Sequence, residues 1–360
     1  MGRRIARVGV VGAGAATQAI HLPTLARFPE RFRVTAVTDV NEAVAVEVAD
    51  RVGAAVMPSL GDMLAADKLD VVVICSPNEF HAEQVSAACR ARVGVVLCEK
   101  PLATSRSEAE DIARVSEETG VPVVVGTMHS FDPVWQAASR RWTEAGAQAH
   151  TIRIAARIPP NPMTEDLATE VTGRAGPGRT TRSRSRLKDR VAGLRGGVLG
   201  LAIHDLPLAR RLLPDAPPRV LAVHEPAPGG YHIFAEVGGQ LLEVLGGSSE
   251  TWLPDWQLEA IAEDAVLLAD FGPSYVHAGS AVAELSMPAA ETGFETTRLG
   301  PAVDNGYVRL WQSIDDLLDG RGAAPPVEAL VADLDFAVLL ADQATDLLLT
   351  ASAPTTAEAI

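Results

Sequence analysis

Lysine is scarce in this chain of 360 residues. Only Lys68, Lys100 and Lys188 occur among 31 basic residues, so arginine carries nearly all of the positive charge. A partly buried ammonium group can shift its pKa and exchange a proton near neutral pH, which a guanidinium group cannot do. An isolated lysine at a strand end more often points into water, because functional lysines are the minority. Lys100 directly follows the apolar run 94–98, so its neighbours must decide between these alternatives.

Cysteine and long apolar runs are also in short supply. The three cysteines have no CxxC spacing, which predicts small buried side chains rather than a metal site. No unbroken apolar run is long enough for a membrane span. Glycines interrupt the apolar N-terminal sequence MGRRIARVGVVGAG, which favours a first strand over a signal peptide. We therefore expect a cytoplasmic protein with no metal and no membrane partner.

The net charge of -15 leaves little positive surface for nucleic-acid phosphates, so no nucleic-acid partner is expected. One local exception lies at residues 174–195, where a single acid, Asp189, stands among eight basic residues. They are Arg174, Arg179, Arg182, Arg184, Arg186, Lys188, Arg190 and Arg195. The segment shows neither helical nor strand periodicity. It is therefore either a mobile solvated loop, as such charge blocks usually are, or an anion-binding lid over an active site.

The length predicts two domains. In residues 1–126, apolar strands alternate with amphipathic helices, a pattern typical of a doubly wound parallel sheet. The predicted strands are 8–11, 32–38, 54–57, 70–75, 94–98 and 121–125. The predicted helices are 15–28, 42–52, a short helix from Ser59, 79–92 and 104–118.

Residues 127–360 show a different pattern, with closely spaced strands joined by turn residues. This predicts an α/β domain with a large, mostly antiparallel open sheet. The predicted strands are 151–156, 220–224, 231–236, 240–246, 256–261 and 265–271. Helices are predicted near 134–145, 200–212, 305–318 and 327–349, and the last is apolar enough to pack against the body of the protein.

A glycine motif lies at the turn from the first strand to the first helix. Gly12 permits a tight turn, Gly14 lets a pyrophosphate approach the backbone, and the helix N-terminus supplies amide donors. Thr17 stands where the usual third glycine would be, so the motif is incomplete. Asp39 ends the second strand and would bind the adenosine ribose hydroxyls, although an acid there is more often a turn former. Its charge would repel a 2′-phosphate, which favours NAD over NADP.

Together these motifs resemble the Gfo/Idh/MocA oxidoreductases, the glucose–fructose oxidoreductase and inositol dehydrogenase family. The resemblance rests on GVVGAGAATQAIHLPTL (9–25), VICSPNEFHAEQ (73–84), VVLCEKPLAT (95–104), VVVGTMHSFDPVWQAA (123–138) and GGVLGLAIHDLPLARRLL (196–213). It implies a Rossmann domain, a second α/β domain and a dinucleotide bound between them. It also implies a homodimer or homotetramer formed through the face of the second sheet.

The resemblance assigns roles to individual residues. The cofactor-binding positions it implies are Gly12, Gly14, Ala15, Asp39, Ser76, Pro77, Asn78, His81, Glu99, Lys100 and Pro101. In the family's E-K-P motif the lysine contacts both the substrate and the nicotinamide ribose, and the Lys-Pro bond is commonly cis. Lys100 is thus expected to polarise the reacting oxygen, and His204 to move the proton.

The chain departs from the family pattern at three positions. Gly200 and Pro207 replace the two acids around His204, and Ser130 replaces a frequent arginine. On a helix, Asp205 would project about 100° away from His204, which makes it a poor substitute. Asp205 and His129 are nevertheless candidate substrate contacts, and for His129 a structural role is equally open. His21, His150, His224, His232 and His277 are expected to be structural or surface groups.

Two functions fit this sequence. The first is an NAD(P)-dependent oxidoreductase acting on a sugar, cyclitol or related polyhydroxy compound. Loss of acids at Gly200 and Pro207 beside an arginine-rich segment predicts an anionic substrate, either phosphorylated or nucleotide-linked. The alternative is a non-catalytic dinucleotide-binding sensor with the same fold. Retention of both Lys100 and His204 favours the enzyme.

Overall fold

The computed structural model describes residues 4–66, 68–174, 186–226, 230–248, 254–273, 279–289 and 293–351. The N-terminal part is built on a six-stranded parallel sheet, as predicted. Its strands are β1 (Ala6–Val11), β2 (Phe32–Thr38), β3 (Ala55–Val56), β4 (Val71–Ile74), β5 (Val95–Cys98) and β6 (Val123–Val125). Their order in the sheet is β3-β2-β1-β4-β5-β6. The chain reverses its winding between β1 and β4, and at that point a crevice opens beyond the carboxyl ends of the strands.

Burial on both faces explains why these strands form. Every residue of β4, β5 and β6 is buried, and the sequences VVVI, VVLC and VVV offer only apolar side chains. Helices cover both faces of such a sheet. They are α1 (Leu22–Leu25), α2 (Glu42–Val52), α3 (Leu60–Ala66), α4 (His81–Arg90) and α5 (Arg106–Thr119). A π-helical turn at Thr17–His21 precedes α1, within the range predicted as a single helix.

The second sheet has eight strands among the described residues. They are β7 (Thr151–Ile158), β8 (Pro218–His224), β9 (Tyr231–Val237), β10 (Gln240–Ser248), β11 (Asp255–Ile261), β12 (Val266–Asp270), β13 (Val282–Ala289) and β14 (Gly293–Leu299). The order is β14-β13-β12-β11-β7-β10-β9-β8, in which only β7 and β10 pair in parallel. The prediction of a mostly antiparallel sheet is confirmed. It missed β13 and β14, since β14 is largely exposed and shows no apolar alternation.

Six helices accompany this sheet within the described part of the chain. They are α6 (Pro133–Glu144), α7 (Asn161–Ala168), α8 (Leu187–Gly200), α9 (Leu206–Arg210), α10 (Gly306–Leu318) and α11 (Val327–Ala351). The last two return to the N-terminal part. Leu310, Trp311 and Ile314 of α10 join the core beneath β1, and α11 packs against α5, α8 and β8. No helix of the described residues is long and apolar enough to cross a membrane.

Two predictions around the basic segment were wrong. Residues 187–195, which belong to the segment predicted as an aperiodic loop, lie in α8, and this helix buries Leu194 and Val198 and packs on α11. The helix predicted at 200–212 is instead interrupted. The chain leaves α8 at Gly200, makes a 3₁₀ turn at Ala202–His204 and resumes as the short α9. Four glycines in α8 weaken its apolar pattern and its helix propensity, so packing against the rest of the protein must stabilise this helix.

Candidate functional site

A cavity of about 210 Å³ opens at the carboxyl edge of the N-terminal sheet and is closed by residues of the second domain. The N-terminal part contributes Ala16, Ile20, Cys75, Ser76, Asn78, His81, Glu99 and Lys100 to its walls. The remaining wall residues are Ile158, Pro159, Asn161, Thr164, Gly200, Leu201, His204, Pro254, Trp256, Pro273 and Tyr307. Lys100 and His204, separated by about a hundred residues in the sequence, therefore share one cavity.

The glycine turn beside this cavity has the geometry of a phosphate-binding loop. Gly12 has a φ of +88°, and a Cβ there would lie 2.6 Å from the carbonyl oxygen of Cys75. Only glycine fits such a position. A Cβ on Gly14 would meet no atom within 4 Å, so the backbone is open on that side. This open surface is where a pyrophosphate could approach the amides at the start of the helix.

Asp39 is held at the same turn. Its carboxylate accepts hydrogen bonds from the backbone amides of Ala13, at 2.7 Å, and Asn41, at 2.8 Å. Gly12, Gly14, Ala15 and Asp39 thus lie together, although they border the cavity rather than form its walls. An anion-accepting loop with a carboxylate at the end of the second strand suits a dinucleotide with a free ribose diol.

Gln18 hydrogen-bonds the glycine turn to Thr172, a residue of the second domain. The Gln18 side-chain amide donates to the carbonyl oxygens of Ala13, at 2.7 Å, and Thr172, at 3.0 Å, and its oxygen accepts from the Thr172 amide at 3.0 Å. Next in the chain, Gly173 is pressed against Val44 of α2. The basic segment therefore begins beside α2, the helix that follows Asp39.

The segment after β4 is tied to the Lys100–Pro101 region through His81. The His81 ring bonds the carbonyl oxygens of Pro101, through Nδ1 at 2.7 Å, and Ser76, through Nε2 at 2.9 Å. The Lys100–Pro101 peptide bond is cis. Ser76, Asn78 and His81 line the cavity, whereas Pro77 and Pro101 support it from behind. This arrangement brings the two predicted cofactor-binding segments into contact.

Glu99 is buried beneath the cavity floor and belongs to a closed hydrogen-bond network. The His21 Nε2 atom lies 3.0 Å from its carboxylate, and the Tyr307 hydroxyl donates to the same oxygen at 3.3 Å. The indole nitrogen of Trp311 lies 3.3 Å from His21 Nδ1, and although burial opposes protonation, Cys75 and Glu99 raise the pKa of His21 to about 10. Burial alone would raise the Glu99 pKa, but His21 and Lys100 hold it below its usual value.

Lys100 reaches across the cavity to the second domain. Its ammonium group donates a 2.7 Å hydrogen bond to the backbone carbonyl oxygen of Gly200. Burial lowers the pKa of Lys100 below its ordinary value, and the neighbouring Glu99 charge opposes that shift only in part. A lysine with a lowered pKa in a cleft has the property that proton exchange requires.

His204 faces Lys100 from the 3₁₀ turn after α8. Its Nδ1 atom is buried and has no hydrogen-bond partner among the described residues. Burial, followed by the charges of Lys100 and His129, holds the pKa of His204 well below its ordinary value. The imidazole is therefore uncharged at neutral pH.

His129 and Asp205 do not line the cavity, contrary to the suggestion that they contact substrate. The two side chains pair with each other behind His204, at 2.6 Å, and both are buried. Asp205 follows a 3₁₀ turn rather than lying within a continuous helix, so its side chain points into the second domain. Its second oxygen accepts a 2.6 Å hydrogen bond from the Trp256 indole.

The three departures from the family pattern have different consequences. A Cβ on Gly200 would meet no atom within 4 Å, so the missing side chain leaves open space beside Lys100. Pro207 lies in a separate small pocket with Pro101, so the acid missing there removes no charge from the main cavity. Ser130 accepts a hydrogen bond from Arg211 at 3.2 Å. The predicted loss of two substrate-binding carboxylates thus holds only for Gly200.

Three basic residues in the described part of the basic segment form ion pairs. Arg174 pairs with Glu165 and Asp166, Arg190 with Glu225, and Arg195 with Asp342. None of the basic residues described in this segment lines the cavity. Arg179, Arg182 and Arg184 lie outside the described residues, as does His277. An anionic substrate therefore stays a prediction.

Sequence reasoning did not anticipate the cavity residues Trp256 and Tyr307. Both lie far from the recognised motifs, and each resembles an ordinary core aromatic in an apolar strand or helix. Cys75 was expected to be a small buried side chain but is half-buried in the cavity wall. His150 and His224 are exposed, and His21 is structural, bonding Glu99. No group of side chains suited to a metal ion occurs among the described residues.

Known proteins share both the N-terminal sequence and the overall fold. Residues 6–127 match the model of an oxidoreductase family with an NAD-binding Rossmann fold, Gfo/Idh/MocA. An inositol 2-dehydrogenase of Saccharopolyspora erythraea is 40% identical over 130 residues, which are 35% of this chain and 37% of that protein. The chain thus matches less than half the length of this curated relative.

Two solved structures resemble nearly the whole chain. One is a UDP-N-acetylglucosamine 3-dehydrogenase from Acidithiobacillus ferrooxidans, with a TM-score of 0.68 and 19% identity over 96% of this chain and 99% of that one. The other is a 3-ketoreductase from Actinomadura kijaniata in complex with NADP and TDP-benzene, with a TM-score of 0.70 and 19% identity over 95% and 98% of the two chains. At this identity the similarity establishes the fold of both domains. The match to the Gfo/Idh/MocA oxidoreductase family is thus confined to residues 6–127, about a third of the chain.

Proposed function

We propose that the protein is an NAD-dependent oxidoreductase acting on a hydroxyl or carbonyl group of a sugar, cyclitol or related polyhydroxy compound. The observation that carries this proposal is the convergence of Lys100 and His204 on one cavity beside the glycine loop. Two of the relatives named above are an inositol 2-dehydrogenase and a UDP-N-acetylglucosamine 3-dehydrogenase, which supports the substrate class.

One group of residues would bind the dinucleotide, and another would bind the substrate. The open backbone at Gly14 and the carboxylate of Asp39 hold the dinucleotide, which supplies the hydride acceptor or donor when bound. Lys100 lies where it can polarise the reacting oxygen, and His204 faces the same space. The neutral imidazole and the buried ammonium group both hydrogen-bond that oxygen, which fixes the reacting carbon for hydride transfer.

Asp39 supports NAD over NADP as the cofactor. Both of its carboxylate oxygens are already oriented by backbone amides. A 2′-phosphate placed there would meet a fixed negative charge, whereas ribose hydroxyls would donate to it. The A. kijaniata structure contains NADP, so cofactor choice differs within this fold and needs a direct measurement.

The predicted anionic substrate and the predicted homo-oligomer stay proposals. Cross-strand ion pairs such as Arg153–Glu259 and Arg157–Asp255 occupy the face of the second sheet through which subunits would associate. A polar interface of this kind would weaken with salt. Light scattering at low and high salt would determine both the oligomeric state and its dependence on these charges.

A ligand panel tests the function directly. Sugars, nucleotide sugars and cyclitols are added to the protein with NAD, and both thermal stabilisation and formation of reduced nicotinamide are recorded. An oxidoreductase should produce reduced cofactor with at least one compound, and this turnover should be lost in Lys100→Ala. Ligand-dependent stabilisation without any turnover in either direction would instead support a sensor. The unpartnered Nδ1 atom of His204 is the observation that favours that second candidate.

A further inference from the structure

Behind His204 lies a buried cluster that the proposed function does not yet use. It consists of His129 from the 3₁₀ turn after β6, Asp205 from the turn before α9 and Trp256 from β11. The Asp205 carboxylate is fully buried and bridges the other two side chains, with 2.6 Å to His129 Nδ1 and 2.6 Å to the Trp256 indole nitrogen. Three separate parts of the chain therefore converge on one carboxylate.

The cluster fixes the position of His129. Its ring is stacked on Phe271, with centroids 3.9 Å apart and an interplanar angle of 17°, and it meets Trp256 edge-on at 4.6 Å. A carboxylate deprived of water is costly unless it is paired and hydrogen-bonded. The His129 ring and the Trp256 indole thus take one carboxylate oxygen of Asp205 each.

The rings of the same cluster pack against His204. The His204 ring is 5.9 Å from His129 and 5.6 Å from Trp256 between centroids. No carboxylate accepts from its buried Nδ1, because Asp205 is committed to His129 and Trp256. A proton added to His204 would thus create a buried cation with an N–H that no described group accepts.

We propose that the buried His129–Asp205 pair is a positioning device that keeps His204 uncharged, so that Lys100 is the group that exchanges the proton with the substrate oxygen. This inference rests on the proposed function and assigns roles within the same site. In the oxidising direction the substrate O–H bond would break and pass its proton to the unprotonated Nζ of Lys100. The C–H bond on the same carbon would break with its electron pair, a C=O bond would form, and the hydride would be taken up by a bound nicotinamide. His204 remains a neutral hydrogen-bonding group throughout.

The titratable groups around His204 come from several elements and define the controls. Lys100 faces it from the end of β5, His129 from the turn after β6, and Asp205 is its chain neighbour. Tyr231 of β9 is the remaining ionisable group beside this cluster, and its hydroxyl donates to the carbonyl oxygen of Gly197 at 3.0 Å. Tyr231→Phe therefore removes a buried polar atom from the same region without touching the pair.

The test uses nuclear magnetic resonance of the full chain without added ligand. The imidazole nitrogen and carbon shifts of His204, assigned through His204→Gln, are followed from about pH 8 to about pH 5, where an ordinary histidine titrates. In the parent and in Tyr231→Phe, His204 should remain unprotonated through this range. In Asp205→Asn, which removes the carboxylate, His204 should stay unprotonated as well. In His129→Phe, whose ring can keep the stack on Phe271, Asp205 loses a partner and becomes free to accept from His204, so the His204 midpoint should rise by about one pH unit or more.

The outcomes separate this inference from the proposed function. A parent His204 that titrates like a free histidine, or a His129→Phe variant whose midpoint equals that of the parent, would overturn the positioning role. If Asp205→Asn fails to fold, the parent titration and His129→Phe still decide the matter. NAD binding is recorded on the same samples by thermal shift. A parent protein that does not bind NAD would refute the proposed function, but the His204 titration could still be interpreted.

Discussion

The ammonium group of Lys100 donates a 2.7 Å hydrogen bond to the backbone carbonyl oxygen of Gly200. This bond joins the end of β5 in the N-terminal sheet to the end of α8 in the second domain. It exists beside open space, because a Cβ at Gly200 would meet no other atom. The absence of an acidic side chain at this position thus leaves Lys100 bound to a neutral carbonyl, which a substrate oxygen could replace without separating an ion pair.

Lys100→Ala should lower kcat/KM by about 10²-fold or more, the usual contribution of a positioned acid–base group. Lys100→Arg should not restore activity, because guanidinium does not release its proton at working pH. Steady-state kinetics with a substrate from the ligand panel measures both effects. NAD affinity, measured by fluorescence titration, should fall far less than activity. Near-native turnover by the arginine variant would reduce Lys100 to an electrostatic clamp.

Asp39 should make NAD stabilise the protein against heat more than NADP does at equal concentration. The reason is the fixed carboxylate facing the adenosine ribose, which repels a 2′-phosphate. Asp39→Ala should remove most of the difference, and paired melting curves with each cofactor measure it. Equal or greater stabilisation of the parent by NADP would show that Asp39 does not contact the ribose.

Gly12 and Gly14 offer a matched pair in one loop. Gly12→Ala should destabilise the fold by about 1–3 kcal/mol or more, because its Cβ would strike the backbone at Cys75 from a left-handed conformation. Gly14→Ala should leave stability nearly unchanged, since no atom lies near its Cβ. Because the alanine methyl would occupy the side open to a pyrophosphate, NAD affinity should nevertheless fall.

Urea unfolding and cofactor titration of both variants check this division between stability and binding. If the loop has the assigned role, Gly12→Ala lowers the stability of the protein, whereas Gly14→Ala lowers its affinity for NAD at nearly unchanged stability. Full NAD affinity in Gly14→Ala would place the pyrophosphate elsewhere.

Glu99 should contribute stability that depends on pH. Its folded pKa is held below the ordinary value, so the stabilisation is complete above that ordinary value and is lost as pH falls through the folded pKa. Glu99→Gln should therefore destabilise the protein at neutral pH, and the difference from the parent should shrink on acidification below about pH 4.5. Urea unfolding of both proteins across this range measures the effect. Tyr307→Phe, which removes the 3.3 Å hydrogen bond to Glu99 and leaves the Glu99 carboxylate in place, serves as the milder control. A difference that stays constant with pH would contradict the assignment.

Substitution of arginines tests whether the basic segment binds an anionic substrate. Replacing Arg182, Arg184 and Arg186 together with serine should raise KM for an anionic substrate and leave the Kd for NAD unchanged. The KM of the parent should also rise with salt, because loosely held charge pairs are screened over about 8–10 Å. Kinetics at low and high salt with phosphorylated and unphosphorylated forms of one sugar measure this. A triple variant that behaves like the parent at low salt would make the segment a connector.

The sequence by itself determined the N-terminal sheet, the nucleotide loop and Lys100. Their signals are local, because continuous apolar strands, a glycine turn and a lysine at a strand end each follow from the chain within a few residues. The same holds for β2 and α2, whose predicted bounds agree with the structure.

Only the tertiary structure decided what surrounds His204. The chain was expected to carry His204 on one continuous helix, on which an acid four residues earlier would share its face. The break after Gly200 removes that periodicity, turns Asp205 inward and gives it to His129 and Trp256. These three residues come from distant parts of the sequence, and no local pattern connects them. Their pairing follows from the burial of a carboxylate, which takes the nearest donors the packed core supplies.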